Sequence, residues 1–372
     1  MTERLSTLLH EEASGLEIPP PTAPAVLARG RSMRRRRRAT AAVAALAAVA
    51  VVGSGAAVAV DALHHESRAV DPAGPSTGRG AVFAVGTTVF YDGGEHRTSI
   101  DDKAIKSMYF TSAGLLVRHG NNNYSDGGGP QRFSLVTPDG TEKPLSVVTE
   151  ESVPGVDPRQ PYLAYTTVER GTVHLLVHDV TSDENVADVT VPGDLTWGGW
   201  SGPPVALAGD TAYVGTDRVT YAVDWRTGEV ATTSHVPPGY PDVHGGRAVA
   251  ATRTDVSVLD VATGKTLLDL PRPGGTGYLM LSPDGRSAVM DDTGGQAFEV
   301  YDVDTGSHVT IDGASYDFGW TPGGDLFTIS KHHVVTCSSS TAECVTGSAT
   351  IPAEGGGVSP GDVRFAGKAY ES

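Results

Sequence analysis

Side chains able to do chemistry are few and scattered in this 372-residue chain. Asp101-Asp102 and Asp291-Asp292 have the residue types for general acid and base work on a glycoside. That chemistry needs two carboxylates roughly 5–10 Å apart on either side of one bond. These pairs would therefore have to meet from separate parts of the fold. Asp302-Val303-Asp304 opens like a calcium loop, but the residues after it lack the further oxygen ligands and the twelfth-position Glu such a loop needs. His332-His333 falls in an expected strand, where neighbours face opposite sides and do not chelate one ion together. Neither a His-Glu-x-x-His helix nor a phosphate-cradling P-loop is present. No catalytic, cofactor-binding or metal-ligating residue is assigned, and no cofactor is expected.

Cys337 and Cys344 are the two cysteines, separated by six small or polar residues that suit a hairpin loop. Facing strand positions across such a loop can be bridged, so in an oxidising compartment the pair reads as a disulfide. A metal site would need a second ligand pair, which the spacing does not supply.

The elements that would position any site begin with a polarised N-terminus. Residues 1–38 hold eight Arg against four Glu, about +4. Past residue 63, 20 basic against 39 acidic residues leave −19. An outer part so acidic repels phosphate backbones, so no nucleic-acid partner is expected.

Ala39 to Val60 contains no charge, and its 22 residues as a helix reach about 33 Å, against about 30 Å of hydrocarbon. Arg34, Arg35, Arg36, Arg37 and Arg38 abut its start and act as a topology anchor. They place residues 1–38 in the cytoplasm by the positive-inside rule and touch anionic lipid of the bilayer. The expected organisation is a basic tail over 1–38, a single transmembrane helix over 39–62, a Pro/Gly/Ser stalk over 63–80 and an extracytoplasmic domain over 81–372. Ala57-Val58-Ala59 has the form of a cleavage site, so removal of the span as a signal peptide is the competing reading.

The outer domain repeats. Asp224-Trp225-Arg226-Thr227-Gly228, Asp260-Val261-Ala262-Thr263-Gly264 and Asp302-Val303-Asp304-Thr305-Gly306 each follow an alternating strand and precede another. Asp and Thr bond the turn backbone, and Gly supplies the positive φ that closes it. Weaker copies start near 92, 136, 179 and 337, giving spacings of 44, 43, 45, 36, 42 and 35 residues. Seven hairpins at that period predict an all-β, seven-bladed β-propeller, with six or eight blades also compatible. Leu281-Ser282-Pro283-Asp284-Gly285-Arg286 and Trp320-Thr321-Pro322-Gly323-Gly324-Asp325 fit the turn between a blade's first and second strands. Asp157-Pro158-Arg159-Gln160 and His244-Gly245-Gly246-Arg247 are degenerate versions. The first hairpin, near Ala81, lacks an inner strand, and Asp362 to Ala366 can supply it.

Ser282-Pro283-Asp284-Gly285-Arg286 and the Asp-x-x-Thr-Gly turns resemble WD40-like and TolB-like β-propellers. Tyr221 to Glu229 is similar to the blade repeat of quinoprotein-type propellers, a resemblance that implies a quinone, calcium and often a vicinal Cys pair. Six residues separate the cysteines here, so that activity is not expected. The layout of Leu-Leu-His-Glu-Glu tail, Pro-rich stretch, Arg run, Ala-rich span and propeller resembles a group of actinobacterial membrane proteins. No blade carries both the Gly-His and the Trp-Asp dipeptide of true WD40 repeats.

Two features read as a candidate binding surface. Asn121, Asn122, Asn123, Tyr124 and Asp126 sit in a polar loop longer than a hairpin needs. Trp197 and Trp200 offer aromatic faces near an inner strand, for packing or for stacking against a sugar or peptide. The expected function is a non-catalytic, membrane-anchored module that binds an extracytoplasmic protein, peptide or glycan. A transmembrane signalling protein whose tail engages a cytoplasmic regulator such as a sigma factor is the second reading; it rests on the actinobacterial resemblance and on Leu5, Leu8 and Leu9. A propeller hydrolase is the third.

Overall fold

A computed structural model of the chain describes residues 80–122, 128–193, 201–272, 277–291, 295–330, 332–351 and 363–368. They form seven four-stranded antiparallel sheets, each a blade whose strands are lettered a to d from the centre outward. The architecture is a seven-bladed β-propeller, as the hairpin spacing predicts. The basic tail with Arg34 to Arg38, the expected span over 39–62 and the stalk up to residue 79 lie outside the described residues. Among the described residues no helix is long and apolar enough to cross a membrane.

Local chemistry builds the outer hairpins. Asp224 accepts the N–H of Thr227 at 2.9 Å, Asp260 that of Thr263 at 2.8 Å and Asp302 that of Thr305 at 2.8 Å. Each carboxylate thus satisfies a backbone donor that the tight turn strands. Gly228, Gly264 and Gly306 close the same turns at φ 78°, 70° and 71°. These are c-to-d turns. The Ser282 to Arg286 stretch is an a-to-b turn, where the Asp284 carboxylate accepts the Arg286 N–H at 3.0 Å. Asp302 is therefore spent on its own turn, and Asp304 pairs with Arg247 at 2.5 Å. His332 departs from the expected strand: it takes φ 69° in the turn before strand His333–Cys337.

The seven innermost strands are Val363–Phe365, Ala104–Thr111, Gly155–Val156, Val205–Ala208, Val243–His244, Tyr278–Leu281 and Gly319–Trp320. Side chains alternate between the two faces of each blade, so both faces become interior. In blade 2, Leu115 and Val117 pack toward blade 1, while Leu116 and Phe133 pack toward blade 3. Seven apolar clusters among the described residues fill the seven gaps between blades.

Closure comes from the far end of the chain. Strand Val363–Phe365 pairs antiparallel with Phe83–Val85, matching Phe365 to Phe83. Blade 1 thus takes its inner strand from residues about 280 positions downstream of its others. The stretch that follows stitches three blades together. Ala366 N–H donates to Val82 O at 3.0 Å, Trp320 N–H donates to Ala366 O at 3.3 Å, and Gly367 N–H donates to Met108 O at 3.3 Å. Phe365 meets the Phe327 ring of blade 7 edge-on at 5.4 Å, and Phe83 stacks on Phe90 at 5.0 Å. Gly319 is required beside it, because a Cβ there would lie 2.5 Å from the Phe365 Cβ.

Cys337 and Cys344 face each other across the third and fourth strands of blade 7 and form the expected disulfide. Cys337 is buried and Cys344 exposed. A closed loop this short restricts the unfolded chain by roughly 2–3 kcal/mol in the chain-entropy model.

Closure has a measurable consequence. Phe365→Ala should lower the stability of the propeller by about 2 kcal/mol through lost packing at the seam. Urea unfolding monitored by tryptophan fluorescence reads this. An unchanged midpoint would mean that the seam is not energetically coupled to the ring.

Candidate functional site

Short inner strands set the geometry at the centre. Gly155 comes so near blade 4 that a Cβ would lie 2.8 Å from the Ala206 backbone. Near this approach a small, open concavity lies against the inner strands and reaches the end rimmed by the a-to-b turns. Tyr109, Phe110, Leu207 and Pro241 give it apolar walls, and Pro158 and Pro283 rim it. The Tyr109 hydroxyl is taken up by Ser107 and Arg118 inside blade 2, at 2.9 and 3.4 Å.

Two polar side chains belong to this cavity. Asp242 is 7 % exposed, and its Oδ1 has no hydrogen-bond partner. His244 Nε2 stands 3.2 Å from that oxygen, within ion-pair reach but without hydrogen-bond alignment. The backbone holds Asp242 in place, since its carbonyl accepts the Val249 N–H at 3.1 Å. Such an apolar concavity with a few placed polar groups has the usual character of a ligand site.

The rim is braced by a buried carboxylate. Asp157 is 1 % exposed and accepts from the Gly209 N–H of blade 4 at 2.8 Å. It also accepts from the Arg159 backbone N–H at 3.0 Å and from two guanidinium nitrogens at 3.1 and 3.0 Å. Burial pushes its pKa upward, but Arg159 and the backbone N–H donors outweigh this and hold it below the usual carboxylate range. Asp157 therefore stays ionised and ties the blade 3 turn to blade 4.

Blade 2 contains a chain with the order of a nucleophilic triad. His119 Nδ1 lies 2.6 Å from Asp102 Oδ2, and His119 Nε2 lies 3.0 Å from Ser134 Oγ. A triad needs a hydroxyl that reaches substrate and gives its proton to the imidazole. Ser134 is fully buried, and its hydroxyl donates to Glu142 at 2.8 Å. Arg132 adds a two-pronged bond to Asp102, both arms 2.8 Å. The network runs from the lead-in to the inner strand, through the second and third strands, to the outer one, and acts as a staple. Burial raises the Asp102 pKa, but the bonds from Arg132, His119 and the Lys103 N–H prevail and bring it down from 3.8 to about 2. The cross-blade acid pairing weighed for Asp101-Asp102 is thus corrected at Asp102. Its partners lie in its own blade and keep it anionic, which removes it as a general acid.

Of the sequence-chosen binding residues, Asn121 and Asn122 are among the described ones. Asn121 Nδ2 donates to Gly128 O at 2.8 Å, and Asn122 Oδ1 accepts from the buried Lys106 Nζ at 2.7 Å. Both Asn side chains thus help organise the base of their own loop. Asn123, Tyr124, Asp126, Trp197 and Trp200 lie outside the described residues. Asp92, Glu95 and His96 bring ligand-capable atoms within 4.8 Å of one another on the blade 1 turn. Structural metal centres are usually four-coordinate, and this trio sits half-buried to exposed at the surface. Sequence reasoning missed Asp242 and its pocket. The available signal was Tyr240-Pro241-Asp242, an aromatic, a Pro and an acid in a connection leading to an inner strand.

No protein-family model matches the chain, and no curated protein matches it. Solved structures do. The β-propeller domain of Cps50 (Swd1) from Myceliophteria thermophila is 12 % identical with a TM-score of 0.42, covering 67 % of this chain and 88 % of that one. TolB from Acinetobacter baumannii is 14 % identical with a TM-score of 0.39, covering 77 % of this chain and 65 % of that one. A functionally unknown protein from Desulfotomaculum acetoxidans is 11 % identical with a TM-score of 0.45, covering 78 % of this chain and all 100 % of that one. These likenesses concern the fold alone.

The blade 2 staple yields a pH prediction. A depressed pKa contributes stability above the unfolded value near 3.8, and that stability is lost as pH falls toward about 2. Asp102→Asn should cost about 2 kcal/mol at pH 7 and flatten the stability curve between pH 4 and 2. Denaturant titrations across that range measure both effects. A variant as stable and as acid-sensitive as the wild type would contradict the assignment.

Proposed function

We propose that the propeller is a non-catalytic interaction module that grips its partner at the channel mouth. One observation carries this reading. The cavity joins an apolar wall to the nearly buried Asp242 carboxylate, beside which His244 Nε2 stands at 3.2 Å. Deep burial of the one serine in a triad-like chain favours binding over acyl transfer. In this reading the span over 39–62 tethers the module to the membrane with the propeller outside. The Arg34 to Arg38 run and the acidic outer composition support that orientation. The partner class is an extracytoplasmic protein, peptide or glycan.

Site-specific photocrosslinking on intact cells tests the mouth. A photoreactive residue replacing Lys368, at the rim, should capture one defined partner. The same residue replacing Val345, 69 % exposed on an outer strand, should not. Equal capture from both positions, or none from Lys368, would sink the reading.

Signalling through the tail is a second reading, motivated by the apolar face of Leu5, Leu8 and Leu9. Residues 1–38 used as bait should retain a cytoplasmic regulator, and Leu5→Asp with Leu9→Asp should release it. Recovery of lipid alone by the unaltered tail would end that idea.

A further inference from the structure

We propose that residues 369–372 fold back over the channel mouth as an intramolecular occupant, with the Tyr370 ring laid on its half-exposed apolar lining. A partner from outside then has to displace this segment, so the mouth is autoinhibited. Ala369-Tyr370-Glu371-Ser372 follow directly on Lys368 and lie outside the described residues. Two observations point to the mouth: the place where the described chain delivers the segment, and the side chains that line the cavity there. Occupancy by the segment goes beyond the reading of the mouth as an interaction site, while competition with a partner rests on that reading.

The chain arrives at the mouth among three blades. A Cβ on Gly367 would lie 3.0 Å from the Phe110 ring of blade 2, 3.0 Å from Trp320 Cβ of blade 7 and 3.1 Å from Pro283 Cγ of blade 6. The Gly367 N–H donates to Met108 O at 3.3 Å, and its φ of 76° turns the chain there. Lys368 then lines the cavity, with its ammonium donating to Tyr316 O and standing 5.2 Å from the Phe365 ring centre. These contacts fix where the following segment starts. Each extended residue adds at most about 3.6 Å, so Tyr370 Cα stays within roughly 7 Å of Lys368 Cα.

The lining suits an aromatic side chain. Phe110, Leu207 and Pro241 form a buried floor. Val156, Pro158 and Tyr240 line the same cavity but stay half-buried, so their outer faces are open to a second surface. A tyrosine ring covers such apolar faces while its hydroxyl remains in water. Tyr370 is the one large apolar side chain of residues 369–372. Asp242 and His244 already face each other at 3.2 Å and need nothing from the occupant. An outside apolar group must compete with a ring tethered two residues away, and short tethers give effective concentrations in roughly the millimolar range.

The photoreactive tyrosine analogue p-benzoylphenylalanine, placed at position 370 of the full-length chain, tests this directly. Irradiation should give an intramolecular crosslink in the monomer band, mapped by mass spectrometry to peptides carrying Val156, Pro158 or Tyr240. Crosslinks confined to other segments, or none, would overturn the assignment. A second measurement uses the neutral dye Nile red. Tyr370→Ser frees the mouth and should raise dye binding at least about fivefold. Equal dye binding by the two chains would show that residues 369–372 leave the mouth open, which also overturns it. Tyr370 lies beyond the closing strand Val363–Phe365, so the substitution leaves ring closure in place. Photocapture from position 368 reads the binding role separately. Tyr370→Ser should strengthen that capture, and its loss in both chains would sink the binding role while the crosslink still decides the place of Tyr370.

Discussion

Everything in this propeller depends on one backbone pairing, that of Val363–Phe365 with Phe83–Val85. Without it the ring has a blade of three strands and an uncovered inner edge. Exposed strand edges present rows of unpaired N–H and C=O groups and recruit other chains. The pairing also brings residues 366–368 to the axis, where they bond blades 1, 2 and 7 and help line the cavity. Ring closure and the candidate site are thus made by the same few residues.

Given closure, stability is shared around the circle. Each blade is marginal alone, because both its faces are apolar and need neighbours. The seven apolar clusters divide that task among the seven interfaces, with aromatic residues concentrated at the seam between blades 7 and 1. Blade 2 departs from the pattern. It buries Lys106 and Arg118 and runs a polar chain from Asp102 to Glu142 across its strands. Buried polar networks of this kind stabilise only when their members are paired, and pairing in turn fixes strand register. The order Asp, His, Ser is here a structural device, and burial separates it from a catalytic one.

Hairpins were legible in the sequence because their chemistry is local. The Asp, the Thr and the positive-φ Gly of a c-to-d turn sit within five residues and satisfy each other. Even the closure strand was legible, because a hairpin near Ala81 lacked a partner and an apolar stretch near 363 had no hairpin of its own. His332 was misread because a positive-φ residue beside a strand carries no marker when it is not Gly or Asn. The cavity was not legible. Tyr109, Leu207, Asp242 with His244, and Lys368 come from four blades, and nothing in the separations between those blades' residues along the chain connects them.

By itself, then, the sequence determined the propeller architecture and the turns that end the outer hairpins, and it pointed to seven blades, to a strand able to close the ring and to the cysteine pair that is bridged. These follow from contacts between near neighbours or from a count of partners owed. Tertiary structure alone decided where polar groups are stranded and where they are satisfied. It buried Ser134, anchored Asp102 within blade 2, and set Asp242 and His244 side by side at the apolar cavity. The physical reason is that burial and hydrogen-bond satisfaction depend on which blades adjoin, a property of the closed ring rather than of any segment.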